Sequence, residues 1–543
     1  MLVNRFYSLF LKPQRIVPLL FFGLLLVLGL VVHRDYGVSW DEPTDHLNGM
    51  VNVKYIAELL VPAKVAQYPA AQLIPEFQHY RDNDHGVLFE IPMALLGYVL
   101  THHDSRSYYF LRHFCIFLVS VSGVWATYRI GTHWLRDWRL GLLAAALLVL
   151  SPRLFAESFF NGKDIVFTAL FALAIHTLMR LLEAPTLPRA IWHGVASAAA
   201  IDVRLLAIIL VPYTLSLLLL AFTQASSNRT ALLRILGLYL LTTGVATIIG
   251  WPYLWAHPLD NFIAAFQNLS HYPWIFTNLY KGQFLAVKEL PWHYAPVWIF
   301  ITTPLPYSLL AFVGIVASGK QLWNTGWRGI SLLHNRFNVL LIGWLLGPLV
   351  VIVVLHSALY DAWRHVYFVY PAFVLLAARG VQMLITWGSV SRPTLLHRLA
   401  LFLLLVAGLE TIRTAIRMVR LHPYEHLYYS FLPAKTIEQQ FERDYWALSF
   451  RQGLEWLLAH DSSAQVGVSV TWPHVHPLYN NGLILPAAQR ARIVYVPKPQ
   501  RGRYHITTYR WHPQPYADSL GREIYSIRAE GITILSIFDR EAH

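Results

Sequence analysis

The chain has 543 residues, of which 56% are hydrophobic and only 13% charged, and its mean hydropathy is positive. A formal net charge of +13 would suit nucleic acid, but the Lys and Arg are scattered between apolar runs, where they serve as topology signals and lipid-phosphate contacts. The single cysteine, Cys115, lies inside an apolar run and excludes both a disulfide framework and a cysteine metal site.

Repeated apolar runs of about 18 or more residues define a polytopic α-helical membrane protein. The first run, Ile16 to Val32, is preceded by Arg5, Lys12 and Arg15, and no small-residue cleavage site follows it. It reads as an uncleaved signal-anchor with a cytoplasmic N-terminus. Next comes His33-Arg34-Asp35-Tyr36-Gly37-Val38-Ser39-Trp40-Asp41-Glu42-Pro43-Thr44-Asp45-His46. Adjacent acids just past a span are costly near hydrocarbon unless they act, so Asp41 and Glu42 read as catalytic acids at the outer interface. A plainer role exists: Ser39 or Asp41 can cap a helix with Pro43 in its first turn. Leu47, Val51, Tyr55 and Leu59 then recur at i+4, as in a helix lying in the interface plane.

Residues 33 to about 107 form an acid-rich outer loop. Within it Gly86–Leu100 is apolar but short, and Glu90 and Pro92 interrupt it, which suits an interfacial or re-entrant helix. Tyr108–Gly131 crosses and ends at Arg136 and Arg139, which place that loop in the cytoplasm. Further crossings are expected at about 139–156 and 165–182, and two more on either side of Ile201-Asp202-Val203-Arg204. The rest are one ending near Gly250, then about 294–317, 337–356 and 366–386, and one ending near Arg413. That makes about eleven, with the C-terminus outside. Between them, Trp251–His293 is a long outer loop dense in Trp, Tyr, His and Pro, the composition of a functional lid. Beyond the membrane domain, 1–421, the composition shifts. A mixed helix at 441–459 precedes alternation at Val466–Val470, Ile493–Val496, Tyr504–Thr508 and Gly531–Phe538, which predicts a small extracytoplasmic α/β domain over 422–543.

Four charged clusters fall on one side of the membrane: Asp41/Glu42, Lys163/Asp164, Asp202/Arg204 and Asp361/Arg364/His365. Each has a structural alternative. Asp164 can cap a helix, Arg204 and Arg364 can snorkel, and His365 can anchor at the interface. Together they suit a group transfer in which a carboxylate deprotonates an acceptor and cations stabilise an anionic leaving group. A nucleotide-type Gly-rich loop, a His-Glu-x-x-His motif and a nucleophile elbow are all missing. His474 and His476 in Pro473-His474-Val475-His476-Pro477 could bind metal but read as a surface loop. A transporter or flippase of a lipid-linked saccharide is the rival class, although it would place charges at mid-membrane rather than at span ends.

A first span leading into an outer loop with Trp40-Asp41-Glu42 resembles the GT-C superfamily of polyprenyl-phosphate-sugar-dependent glycosyltransferases. Within it the chain is most similar to the protein-mannosyltransferase and lipid A aminoarabinose-transferase group. Asn161-Gly162-Lys163-Asp164 matches the acid that the superfamily carries before its fourth span, and 86–100 matches its juxtamembrane helix. Where mannosyltransferases carry a His-Pro-Pro-x-x-Lys-type stretch, this chain has His85-Gly86-Val87-Leu88-Phe89-Glu90. The resemblance implies a glycosyltransferase working at the outer face of a prokaryotic plasma membrane with an undecaprenyl- or dolichyl-phosphate sugar. Its acceptor would be a lipid, glycan or protein. Asp41 would be the general base and the anomeric centre would invert. Glu42 and Asp164 would orient the acceptor or the base. Lys163, Arg204, Arg364 and His365 would contact the donor phosphate. No metal is required by this arrangement, although oligosaccharyltransferase relatives use a divalent cation.

Overall fold

A computed structural model describes residues 12–541, apart from 223–228, 271–273, 327–328, 330–331, 356, 389–394, 497–501 and 517. Among the described residues, eight helices are long and apolar enough to cross a membrane. They are Pro13–Val32, Ser105–Leu135, Asp164–Glu183, Arg229–Gly250, Leu305–Thr325, Leu333–Val354, Arg364–Gly388 and Leu395–Leu421. Trp138–Val149 and Pro152–Phe160, bent by 69°, make a ninth if the pair is one span. The remaining two expected crossings are shorter helices, Leu187–Ile201 with 15 residues and Leu210–Phe222 with 13.

Proline explains both departures from unbroken spans. Pro152 has no amide N–H to continue the helix and instead starts a new one, which places Glu157 to accept from Asn161 Nδ2 at 2.8 Å. The expected crossing at 294–317 likewise divides into Tyr294–Thr302 and Leu305–Thr325, with Pro304 and Pro306 at the start of the second piece. The non-spanning helix forms at Glu90–Leu100, whose 11 residues reach only about 16 Å.

Helix Glu42–Leu60 does not lie free in the interface. Its buried face carries Glu42, Asp45, Asn48 and Asn52, while Leu59 and Leu60 are exposed. Of the expected apolar stripe only Val51 is fully buried. Gly49 allows this helix to approach the Glu90–Leu100 helix closely, since a Cβ there would stand 2.4 Å from the Glu90 carbonyl oxygen.

The C-terminal part holds a five-stranded sheet in the order Ile493–Tyr495, Val466–Ser469, Tyr504–Thr508, Ile532–Asp539, Arg522–Ala529. The first three strands are parallel and the last two pairings antiparallel. The helix expected at 441–459 begins only at Ser449, because the Asp444 carboxylate accepts from the Leu448 and Ser449 amides at 3.2 and 2.9 Å. This part sits directly on the loop after the first span. The Asn481 side chain accepts from the Val38 amide and donates to the Val38 carbonyl, both at 3.0 Å.

Candidate active site

Asp41 stands at the N-cap of helix Glu42–Leu60, yet its carboxylate makes no capping hydrogen bond. It accepts instead from Arg364 Nη1 at 2.6 Å, across 323 residues of sequence. Arg364 opens a 3-10 turn, Arg364–Val369, at the start of its span. The two residues before Trp363 turn the chain inward: Asp361 and Ala362 have φ of 55° and 62°, uncommon for residues with side chains. The same guanidinium lies 3.2 Å from Asp361 Oδ2 and 3.6 Å from Asp164 Oδ2. Asp361 is pinned further by Arg510 of the C-terminal sheet region, and its amide donates to Asn278 Oδ1 at 3.1 Å.

Asp164 is not a helix cap either. The cap is supplied by Asn161, whose Oδ1 accepts from the Asp164 amide at 2.9 Å. The Asp164 carboxylate is thereby free to pair with Arg204 and to accept from Asn161 Nδ2 at 3.0 Å. Lys163 reaches across to Asp45, with Nζ 2.7 Å from Oδ1.

Behind this layer lies a fully buried group. Arg112 pairs with Glu90 through two hydrogen bonds of 2.5 and 2.9 Å; the second of these nitrogens, Nη2, also lies 3.4 Å from Asp45, and Nε lies 3.7 Å from Glu42. Glu42 is fully buried: it accepts from the Ser39 amide at 2.7 Å and lies 3.1 Å from His113 Nε2. Such a bidentate buried pair holds geometry well, because removing either partner leaves a buried charge.

Only three side chains of the front layer are appreciably accessible. The Asp41 side chain is 31% exposed, and Lys163 and Arg204 are 23% and 22% exposed. Asp164, Asp361, Arg364 and Asp45 are all nearly inaccessible. One carboxylate and two cations are therefore partly accessible, above a floor of buried charges. Burial alone would raise the Asp41 carboxyl, but Arg364 and Lys163 outweigh it and hold Asp41 ionised. Asp45 behaves differently: burial lifts it to about 7, with Glu90 adding to the rise against Lys163 and Arg112. Aromatic rings wall the site. The Arg364 guanidinium lies 4.8 Å from the Trp446 ring centre and 5.2 Å from Tyr360. The segment expected as a long loop folds in part into a helix, Pro258–Ser270, and a hairpin of Asn278–Tyr280 with Gln283–Leu285, and its Trp274 stacks on Tyr360 at 4.0 Å.

No family model and no curated protein matches the chain. Among solved structures it is similar to ArnT from Cupriavidus metallidurans bound to undecaprenyl phosphate. That match has 12% identity, covers 96% of this chain and 97% of that chain, and has a TM-score of 0.49. The apo form of the same ArnT matches at 11% identity, covering 96% and 98%, again at a TM-score of 0.49.

Six of the residues singled out in the sequence thus meet: Asp41, Lys163, Asp164, Arg204, Asp361 and Arg364. Glu42 faces away into the supporting layer. His365 stands beside the site with its ring edge-on to Tyr360 at 4.4 Å. Asp202 does not join Arg204. Its carboxylate lies against Gly250, where a Cβ would stand 2.0 Å from Oδ2, and burial without a cation raises it to about 8. His474 is not on a surface loop but buried, edge-on to Trp40 at 5.8 Å. Among the described residues no group of three or more His, Cys, Asp or Glu is placed to hold a metal. Asp45, Glu90, Arg112 and Arg510 belong to the network without having stood out in the sequence. Glu90 and Arg112 carried one signal: each is an ionisable residue within or beside an apolar run. Arg510 carried none.

Proposed function

We propose that the chain is a membrane glycosyltransferase that moves a sugar from a polyprenyl-phosphate donor to an acceptor hydroxyl at the outer face of a prokaryotic plasma membrane. The observation that carries this is the accessible part of the cluster: a partly exposed, ionised Asp41 beside a buried Arg364, with Lys163 and Arg204 also partly exposed. An acceptor oxygen attacks the anomeric carbon while Asp41 takes its proton. The bond from that carbon to the phosphate oxygen breaks, its electron pair leaves with the phosphate, and the centre inverts. Arg364, Arg204 and Lys163 stand where the departing phosphate gains charge. As Arg364 turns toward that phosphate it loosens its hold on Asp41, which makes the carboxylate more basic as the proton arrives.

Glu42 and Asp164 act as positioning residues, Glu42 through the Ser39 amide and Asp164 through the two arginines. The segment 422–543 closes the site through Arg510 and Trp446 and offers a surface for the acceptor. The acids all have cationic partners and present no ready ligand set for a divalent cation, so no step is assigned to one. The test is a panel of radiolabelled polyprenyl-phosphate sugars given to the purified protein in detergent with candidate lipid, glycan and peptide acceptors. Acceptor-dependent release of the polyprenyl phosphate, with a new glycosidic product, is the expected result. Movement of intact lipid-linked sugar across proteoliposomes without any product would replace this reading with a flippase.

A further inference from the structure

A second cluster of guanidinium groups lies at the ends of the first two spans, sharing no residue with the site of Asp41. Arg34, Arg106 and Arg451 all lie within 6 Å of one ring, Phe110, at 5.7, 5.2 and 5.8 Å from its centre. They line an open cavity of about 360 Å³ together with Asp35 and Asp104. Three like charges gathered on one phenyl ring repel one another, and the ring can neither neutralise them nor accept all their N–H groups.

The nearby acids are already engaged. Asp104 accepts from the Ser107 amide at 2.9 Å and from Arg490 at 3.2 Å. Asp35 accepts from His422 at 2.9 Å. Arg451 is matched by Glu455 at 3.0 Å and donates to the carbonyls of Arg34 and Tyr36. Arg34 and Arg106 thus have no carboxylate partner among the described residues, and Arg106 Nε is buried with no hydrogen-bond partner at all.

Arg34 follows the span Pro13–Val32 by two residues and Arg106 is the second residue of Ser105–Leu135, so the cavity sits at the membrane–water interface. The faces leading to it are apolar and exposed, with Val31 67% and Leu118 41% accessible. We infer that this cavity is an anion site for the phosphate of a membrane lipid headgroup, with the acyl chains lying along the first two spans. Guanidinium groups suit a phosphate because they meet its oxygens with paired, charge-assisted hydrogen bonds. Because Arg451 also grips the loop 33–41 through two carbonyls, an anion here steadies the segment that carries Asp41. The inference does not depend on glycosyl transfer.

The test uses the full chain, purified in detergent, and native mass spectrometry with three probes: phosphatidic acid, phosphatidylcholine of the same acyl chains, and inorganic phosphate. Phosphatidic acid should bind at least tenfold more tightly than phosphatidylcholine. The double variant Arg34→Gln/Arg106→Gln should lose that preference, and Arg34→Gln alone, at an exposed position, should lose part of it with an unchanged melting temperature. Variant-sensitive binding of inorganic phosphate that equals or exceeds that of phosphatidic acid would keep the anion site but overturn its assignment to a lipid. Equal binding of both lipids, or a preference that survives the double substitution, would overturn the site itself.

Discussion

The Asp41 carboxylate bonds Arg364 and leaves the helix amides alone, so the proposed base can be removed without removing a cap. Asn keeps the shape of Asp, and Arg364 keeps Asp361 and Asp164 as partners, so Asp41→Asn should leave a folded, membrane-inserted protein. Transfer should fall by at least about 10²-fold, the usual scale of a general base. Near-normal turnover by that variant would remove Asp41 from the chemistry. Arg364 spreads its planar fork over three carboxylates, a geometry that the compact ammonium of lysine does not reproduce; Arg364→Lys should therefore slow transfer and Arg364→Ala nearly abolish it, whereas a snorkelling arginine would tolerate lysine. A separate residue reports on pH. Burial disfavours charge on His422, but Glu425 at 2.8 Å and Asp35 at 2.9 Å outweigh it and raise its pKa from 6.5 to about 9. A folded value above the unfolded one means that the stabilisation is complete below about pH 6.5 and fades as pH rises through 9. After screening by solvent it is on the order of 1 kcal/mol. Thermal unfolding in detergent between pH 6 and 10 should show this loss, and His422→Gln should flatten it. What could be read at this scale beforehand followed from position. Asp41, Asp164, Arg204 and Arg364 were conspicuous as charges at span ends, whereas Arg510 lies in a polar segment where an arginine is unremarkable, and only the folded sheet brings it to Asp361.

The elements were legible wherever apolar length or strict alternation spoke, and obscure where a single contact set the boundary. Arg522–Ala529 escaped notice because it is an edge strand, half exposed, with polar residues on both faces. The start of the helix at Ser449 depends on the Asp444 carboxylate, a tertiary detail of a loop packed between Phe160 and the site. Close helix packing was equally hidden. Gly314 and Gly380 let Leu305–Thr325 and Tyr370–Gly388 touch backbone to backbone: a Cβ on Gly380 would stand 2.0 Å from the Leu310 carbonyl oxygen, and one on Gly314 1.9 Å from that of Leu376. Packing through small residues is how helices associate when lipid competes for every apolar surface. Gly380→Ala should therefore force the pair apart, costing about 1–3 kcal/mol and lowering the melting temperature in detergent. Gly237→Ala, where a Cβ meets nothing within 4 Å, should be neutral or slightly stabilising. Equal stability of the two variants would show that the two spans are not held by this contact.

At the scale of the whole molecule, the candidate site lies at one end of the helical body. Ser105, at the start of its span, donates to the Leu483 carbonyl at 2.8 Å, and Val38 is held by Asn481, so the C-terminal sheet region and the Asp41 loop share one side. From Ser105 to Leu135 the helix runs 31 residues, about 46 Å, which carries the chain across a bilayer. Arg139 must then lie on the opposite side, whatever the orientation of the protein. By the positive-inside rule the basic turn around Arg136 and Arg139 is expected to face the cytoplasm, the orientation that thiol labelling tests. The prediction uses exposed positions in a background with Cys115→Ser, so that only the introduced thiol can react. Ser462→Cys and Arg139→Cys, both exposed, should respond oppositely to a membrane-impermeant thiol reagent on intact cells. Cysteine at 462 should label at once, and cysteine at 139 only after permeabilisation. Labelling of both from outside would mean that Ser105–Leu135 does not cross. Reversed labelling would keep the fold and turn the whole molecule over, placing Asp41 and the proposed donor at the cytoplasmic face.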